Sequence, residues 1–248
     1  MGVRSSGDDV RLIPVLLDWW KIRLFSRGLL STTREFFAEL WDFIRESTPE
    51  RHRQRYGDVG YDWDYRVDTT SATVSFRDRL LGAFSSAYQP TEPEAFRDML
   101  NQLPIPFSDF TFIDLGSGKG RTLLMASDFA FRRIIGVELI PTLHEIAEQN
   151  VSKYRSPVQK CSQIELICQD ARNFVFPPDP LVVYLFNPFP EPILKRVLTN
   201  LQESLRQDPR RAYVIYYNPV LEHALQNNSA LVKMTYSEHC AIYVSANA

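Results

Sequence analysis

From residue 110 onward the sequence alternates between short apolar runs and longer amphipathic stretches, and this alternation restricts the fold more than any other feature. FTFIDL (110–115), RIIGVEL (133–139), IELIC (164–168), LVVYLF (181–186) and AYVIYY (212–217) have the length and apolar content of buried strands. The segments between them carry apolar residues at helical spacing. One has Leu123, Leu124 and Met125, the next Leu143, Ile146, Ala147, Val151 and Tyr154, and a third Ile193, Leu194, Val197, Leu198, Leu201 and Leu205. Strands apolar on both faces, joined by helices apolar on one, predict a parallel sheet covered on both sides. The end of the chain breaks the pattern. ALVKMTYS (230–237) and CAIYVSA (240–246) are separated only by Glu238 and His239, too little chain for a helical crossover, so an antiparallel hairpin is expected at one edge. The expected fold is α/β: a doubly wound, mostly parallel seven-stranded sheet with an antiparallel C-terminal hairpin.

The first 87 residues follow a different pattern. The first eight are polar and expected to be disordered. Ile13, Leu16, Leu17, Trp20 and Leu24 then mark one helix, closed near Gly28. Thr32 and Glu35 form a capping box for a second, with Phe36, Phe37, Leu40, Trp41 and Ile44 on one face. Such aromatic faces need cover. Packing within the chain, or a homodimer through these helices, is favoured over a membrane surface. Residues 47–75 show no period, and the basic run RHRQR (51–55) fits a solvated face better than an RNA contact. YDWDYRVDTT (61–70) has two readings of equal weight: a lid whose acids receive a cationic substrate, or a segment packing the appendage onto the sheet. YQPTEPEAFRDMLNQL (88–103) predicts a third helix, capped by Thr91 with Glu94 three residues on. The expected division is an N-terminal helical appendage and possible lid over 1–87, then the α/β domain over 88–248.

Composition narrows the function classes. A formal net charge of −2 gives no general attraction to polyanions and argues against nucleic acid as partner. Cys161, Cys168 and Cys240 form no paired spacing, so reduced thiols are expected. Asp18, Lys21, Arg23 and Arg27 interrupt the apolar N-terminal stretch, so neither a signal peptide nor a membrane span is expected, and a cytoplasmic location follows. His144 lies on a helix, and His52, His223 and His239 stand apart, so no metal site is expected.

The first strand runs into GSGKGRT (116–122). A phosphate-binding loop ending at Gly118-Lys119 would need glycine at 113 and a hydroxyl at 120; the chain has Ile113 and Gly120. A dinucleotide fingerprint would need a third glycine at 121, which is Arg121. Lys119 then reads as a solvent-facing loop lysine. What remains is an acid at a strand end, Asp114, followed by Gly116, Gly118 and Gly120 at alternate positions. Glycines permit close backbone approach to a ligand, and the carboxylate suits a cationic ligand better than a pyrophosphate.

This pattern resembles motif I of the class I S-adenosylmethionine (SAM) methyltransferases, with a resemblance that extends over residues 88–248. In overall pattern the chain is most similar to uncharacterised bacterial members of the class. The resemblance implies SAM as cofactor, S-adenosylhomocysteine as product, and no metal. It assigns Asp114, Gly116, Gly118 and Gly120 to the cofactor, and Glu138, at the end of the second strand, to its ribose hydroxyls. Asp170 would receive the adenine amino group, and the amide of Ala171 a ring nitrogen. Asn187, with Pro188 and Phe189, stands where the class places motif IV beside the transferring methyl. Amino-methylating branches have Asn-Pro-Pro followed by an aromatic residue; here Phe189 displaces the second proline, which weakens any claim of adenine or glutamine methylation. Tyr88 and Thr91 resemble a Y-x-P-T segment that folds over the SAM site in seven-strand lysine methyltransferases. Asn187 and Tyr88 are thus the candidate catalytic residues, Thr91 a further cofactor contact, and Phe189 and Asn218 candidate acceptor contacts, although Asn218 is better explained as a turn residue. The implied function is methyl transfer to an unidentified N or O acceptor, with a protein side chain or small molecule favoured over nucleic acid. A catalytically inactive SAM-binding scaffold is the alternative. An aminopropyltransferase fits less well, because those enzymes have an acid where Asn187 stands.

Overall fold

A computed structural model of the chain describes residues 59–70, 90–237 and 239–246. The two expected N-terminal helices, the basic run, Tyr88 and the surface suggested for a homodimer lie outside the described residues. Seven strands form one sheet: β1 (Thr111–Leu115), β2 (Arg133–Glu138), β3 (Ile164–Cys168), β4 (Leu181–Leu185), β5 (Ala212–Tyr217), β6 (Leu231–Ser237) and β7 (Cys240–Ser245). Their spatial order is β3-β2-β1-β4-β5-β7-β6. The first five pair in parallel; β7 runs antiparallel against both β5 and β6. The hairpin therefore closes one edge, as the short Glu238-His239 link requires. β3 forms the opposite edge and is only half-buried, so its apolar run is not covered on both faces as expected.

Side chains alternate across the strands and feed two apolar layers. One holds Ile113, Leu115, Val183, Leu185, Val214 and Tyr216. It is covered by α5 (Glu191–Gln207), whose Leu194, Val197, Leu198, Leu201 and Leu205 are buried. Each such side chain contributes about 1.5–3 kcal/mol of transfer free energy, which outweighs the polar character of the rest of that helix. The other layer is largely aromatic and takes up Phe112, Val182, Tyr184, Tyr213 and Ile215. α2 (Pro93–Asn101) and α3 (Arg121–Ala126) cover it, with Phe96 edge-on to Phe112 at 5.8 Å and to Tyr184 at 5.6 Å. α4 (Pro141–Lys153) follows β2, and Tyr154 at its end reaches the aromatic layer.

Two short helices were not legible as periods: α1 (Val59–Tyr65) and α6 (Glu222–Gln226). α1 belongs to the packed body. Tyr61 is buried in the aromatic layer, and Tyr65 lies 5.0 Å from the Tyr154 ring. Trp63, on the same helix, is 82% exposed. No helix among the described residues is long and apolar enough to cross a membrane.

One expected contact is replaced. α2 has Glu92 at its N-cap with no side-chain cap, so the Thr91–Glu94 capping box does not form. Thr91 is buried instead, and its hydroxyl pairs with that of Tyr184 at 2.8 Å. A buried hydroxyl on β4 has the stronger claim, because it has no access to water. Thr91→Val should therefore destabilise the fold by about 1–3 kcal/mol in urea unfolding, whereas Thr91→Ser should stay close to wild type.

Candidate cofactor and acceptor site

The candidate side chains gather where β1, β2, β4 and β5 end, the edge at which parallel sheets bind ligands. After Leu115 the chain turns sharply, with φ of 87° at Gly116 and 82° at Gly120. The amides of Gly116 and Ser117 both donate to the Val137 carbonyl, which ties the turn to β2. A Cβ at Gly116 would stand 2.5 Å from Cβ of Pro188, and one at Gly120 would stand 3.2 Å from Cβ of Ala147. At these two positions the missing side chain makes room for the protein itself. The consequence for function is direct: the loop after β1 touches the Asn-Pro turn after β4.

Beside the loop stand two buried acids. Asp114 is 4% exposed and Glu138 is 7% exposed. Asp114 accepts a hydrogen bond from Thr122. Each Glu138 oxygen takes a backbone amide at 2.8 Å, one from Gly118 and one from Ile140. Burial pushes the Asp114 carboxyl up to about 7 against the pull of Thr122, and the charge of Glu138 adds to the rise. Burial also raises Glu138, with the amides of Ile140, Gly118 and Leu139 opposing it. Two carboxyls held this way favour a ligand with a cationic group and hydroxyl donors, and repel phosphates.

Asp170 lies just beyond β3. Its carboxylate accepts the Arg172 amide at 2.8 Å and holds the Arg172 guanidinium at 2.8 and 2.6 Å, so it caps the short turn Ala171–Asn173. An adenine amino group would share this carboxylate with Arg172. Ala171 is buried in the layer beneath.

The two Asn-Pro turns meet. Asn187 and Asn218 both adopt left-handed backbone, with φ of 44° and 50°, and the Asn187 amide donates to the Asn218 carbonyl at 2.5 Å. Tyr216, fully buried in β5, donates its hydroxyl to Asn187 Oδ1 at 2.7 Å and accepts the Leu221 amide at 3.3 Å. That chain of bonds fixes which way the Asn187 amide faces. It leaves one N–H and one oxygen lone pair for a further partner. Phe189 is half-buried against the layer beside it. Asn218 thus supports Asn187 through its backbone, as a turn residue. Tyr216 escaped notice in the sequence because it reads there as one more apolar strand residue.

Lys119 overturns its sequence expectation. It is fully buried rather than solvent-facing. Its ammonium donates to Asp68 at 2.8 Å and to the Thr70 carbonyl at 2.5 Å. Arg121, also buried, donates to Thr69 Oγ1 at 2.7 Å, approaches Asp62 at 3.4 Å and lies over the Tyr61 ring at 4.9 Å. Asp62 in turn accepts the amides of Thr69 and Thr70 at 2.8 and 2.9 Å, as well as the Thr69 hydroxyl. Of the two sequence readings of 61–70, contact with the body is thus observed. The acids Asp62 and Asp68 receive cations of the chain itself.

A family model described as histone methylation protein DOT1 matches residues 79–169, the cofactor-loop part of the chain and less than half of it. No curated protein matches. Among solved structures, the chain is similar to a ribosomal protein L11 methylase from Lactobacillus delbrueckii subsp. bulgaricus, at 18% identity over 61% of this chain and 76% of that one, with a TM-score of 0.42. A Salinibacter ruber RNA methyltransferase in complex with S-adenosyl-L-homocysteine gives 18% identity, 63% and 92% coverage and a TM-score of 0.40. Precorrin-6y C5,15-methyltransferase from Geobacter metallireducens GS-15 gives 15%, 64% and 90%, with 0.47. Strand order, glycine loop and family match together give the chain the class I SAM-dependent methyltransferase fold.

The raised Asp114 carboxyl has a measurable consequence. Its folded value of about 7 lies above the unfolded value of about 3.9, so between those limits the folded state holds more protons than the unfolded chain. Its contribution to stability is fully present below about pH 4 and is lost as pH rises through about 7. In the ligand-free protein, Asp114→Asn should flatten that fall, measured by urea unfolding across this range.

Proposed function

We propose that this chain is an active SAM-dependent methyltransferase acting on an N or O acceptor. The observation that carries the proposal is the pair of buried carboxyls, Asp114 and Glu138, beside a glycine loop that touches the Asn187-Pro188 turn. Among the described residues, the hydrogen-bond partners of the two acids are Thr122 and the backbone amides of Gly118 and Ile140, with no cation among them. A ligand with an ammonium, a sulfonium and a ribose diol supplies what they lack. Bound there, SAM would supply an activated methyl group, whose transfer to a lone pair on the acceptor leaves S-adenosylhomocysteine.

The protein's part is to bind, orient and exclude water. Asp114 and Glu138 would hold the cationic and ribose ends, while Asp170 and Ala171 flank the adenine side. Asn187, fixed by Tyr216 and Asn218, would offer its remaining donor and acceptor to the incoming amine or hydroxyl, with Phe189 alongside. Lys119, committed to Asp68 and Thr70, is a poor phosphate ligand, which disfavours ATP. The family description makes a protein side chain the first acceptor to test, ahead of a small molecule. The net charge of −2 disfavours nucleic acid. Cofactor binding is assigned to residues 88–248, and Tyr88 remains a candidate catalytic residue.

Calorimetric titration should show SAM binding to the wild type, with Asp114→Ala and Glu138→Ala each abolishing it. No binding of SAM, or tighter binding of NAD or ATP, would overturn the proposal. Transfer of labelled methyl into cell-extract fractions, separated as protein, RNA and small molecules, should label the protein or small-molecule fraction. Binding without transfer to any fraction would point to a non-catalytic scaffold.

A further inference from the structure

Residues 59–70 are fastened to the cofactor loop by a network that the proposed methyl transfer does not use. Lys119 sits between Gly118 and Gly120, both with left-handed backbone, and is gripped at two points. Its ammonium holds Asp68 and the Thr70 carbonyl. Its own carbonyl accepts the Asn150 side-chain amide at 2.9 Å. Asn150, buried on α4, also donates to the Asp68 carbonyl at 2.7 Å and accepts the Asp68 amide at 2.8 Å. The neighbouring residue, Gly118, donates its amide to Glu138. A continuous path therefore runs from Asp68 through Lys119 and Gly118 to the acid proposed to hold the ribose.

Two buried cations tie the loop to the strap. A fully buried ammonium needs oxygen partners, and those identified for Lys119 come from residues 68–70, far away in sequence. Second, Arg121 stands at the first position of α3, the positive end of the helix, where a cation is disfavoured. Asp62 and the Tyr61 ring, again from residues 59–70, offset that charge. Docking of the 59–70 strap and the shape of the loop thus depend on each other.

We propose, resting on the SAM assignment above, that Lys119 and Asp68 are positioning residues which couple this strap to the cofactor loop, so that strap docking and SAM binding favour one another. By linkage, the coupling must act in both directions.

The test uses the full chain. In calorimetric titration with SAM, Asp68→Asn and Lys119→Met should each weaken binding by about 5- to 150-fold. In hydrogen exchange, SAM should slow the amides of Thr69 and Thr70 in the wild type but not in either variant, with β4 and β5 equally protected in all three. A merely structural role for Lys119 would not produce ligand-dependent protection of the strap. If Lys119→Met fails to fold, Asp68→Asn, altered at a half-exposed side chain, decides alone. SAM affinities within about two-fold of wild type, with strap exchange indifferent to SAM, would overturn the coupling and leave the methyltransferase assignment standing. A wild type that binds no SAM would overturn both.

Discussion

Asp114 and Glu138 end adjacent strands with their carboxyls almost wholly out of water, and much of the surrounding structure accommodates that fact. Buried carboxyls must be hydrogen-bonded, neutralised or matched by a cation. Thr122, at the start of α3, serves Asp114. The loop amide of Gly118 and the amide of Ile140, two residues past Glu138, serve Glu138. The glycine loop is thus an internal ligand of one acid as well as a candidate ligand site, and its turn is shaped by that bond. Burial also explains the kind of molecule the edge favours, because like charges held close in a weakly screened place are relieved by a cation and aggravated by a phosphate.

The loop connects two neighbourhoods that the sequence keeps apart. On one side Pro188 lies against Gly116, bringing the Asn187 turn to the mouth of the loop. On the other, Lys119 and Arg121 reach residues 59–70. Both contacts are made by residues in or beside a single turn, so displacement of the turn would be felt at the acceptor side and at the strap together.

Much of this was legible in the sequence, for identifiable reasons. Strands such as LVVYLF and AYVIYY announced themselves because central parallel strands are apolar on both faces, and the two-residue link at 238–239 permitted only a hairpin. The acids and glycines at strand ends were legible because spacing alone places them at one edge. What failed were judgements on residues whose partners are remote. Lys119 looked exposed because nothing nearby in sequence could neutralise it; its partners lie some fifty positions earlier. Thr91 matched a local capping pattern, yet a hydroxyl 93 residues away claimed it. α1 spans only seven residues, too few for a period to stand out, and its packing comes from Tyr61 and Tyr65 meeting a distant layer. Tyr216 shows the same limit, since its role appears only when two left-handed asparagines are brought side by side.

The exposed indole of Trp63 marks a division in the chain's optical properties. The four tryptophans are Trp19, Trp20, Trp41 and Trp63, and none follows in the 185 residues after the last of them. The sheet, both of its apolar layers and every candidate cofactor residue are therefore silent in tryptophan emission and visible only through tyrosine and phenylalanine. Indole fluorescence in this protein reports on the stretch that precedes the sheet, including the helix that begins the strap, whereas tyrosine signals come from both parts, since Tyr61 and Tyr65 also lie on that helix. One sample thus offers, without any label, a tryptophan channel confined to one side of the network at Lys119.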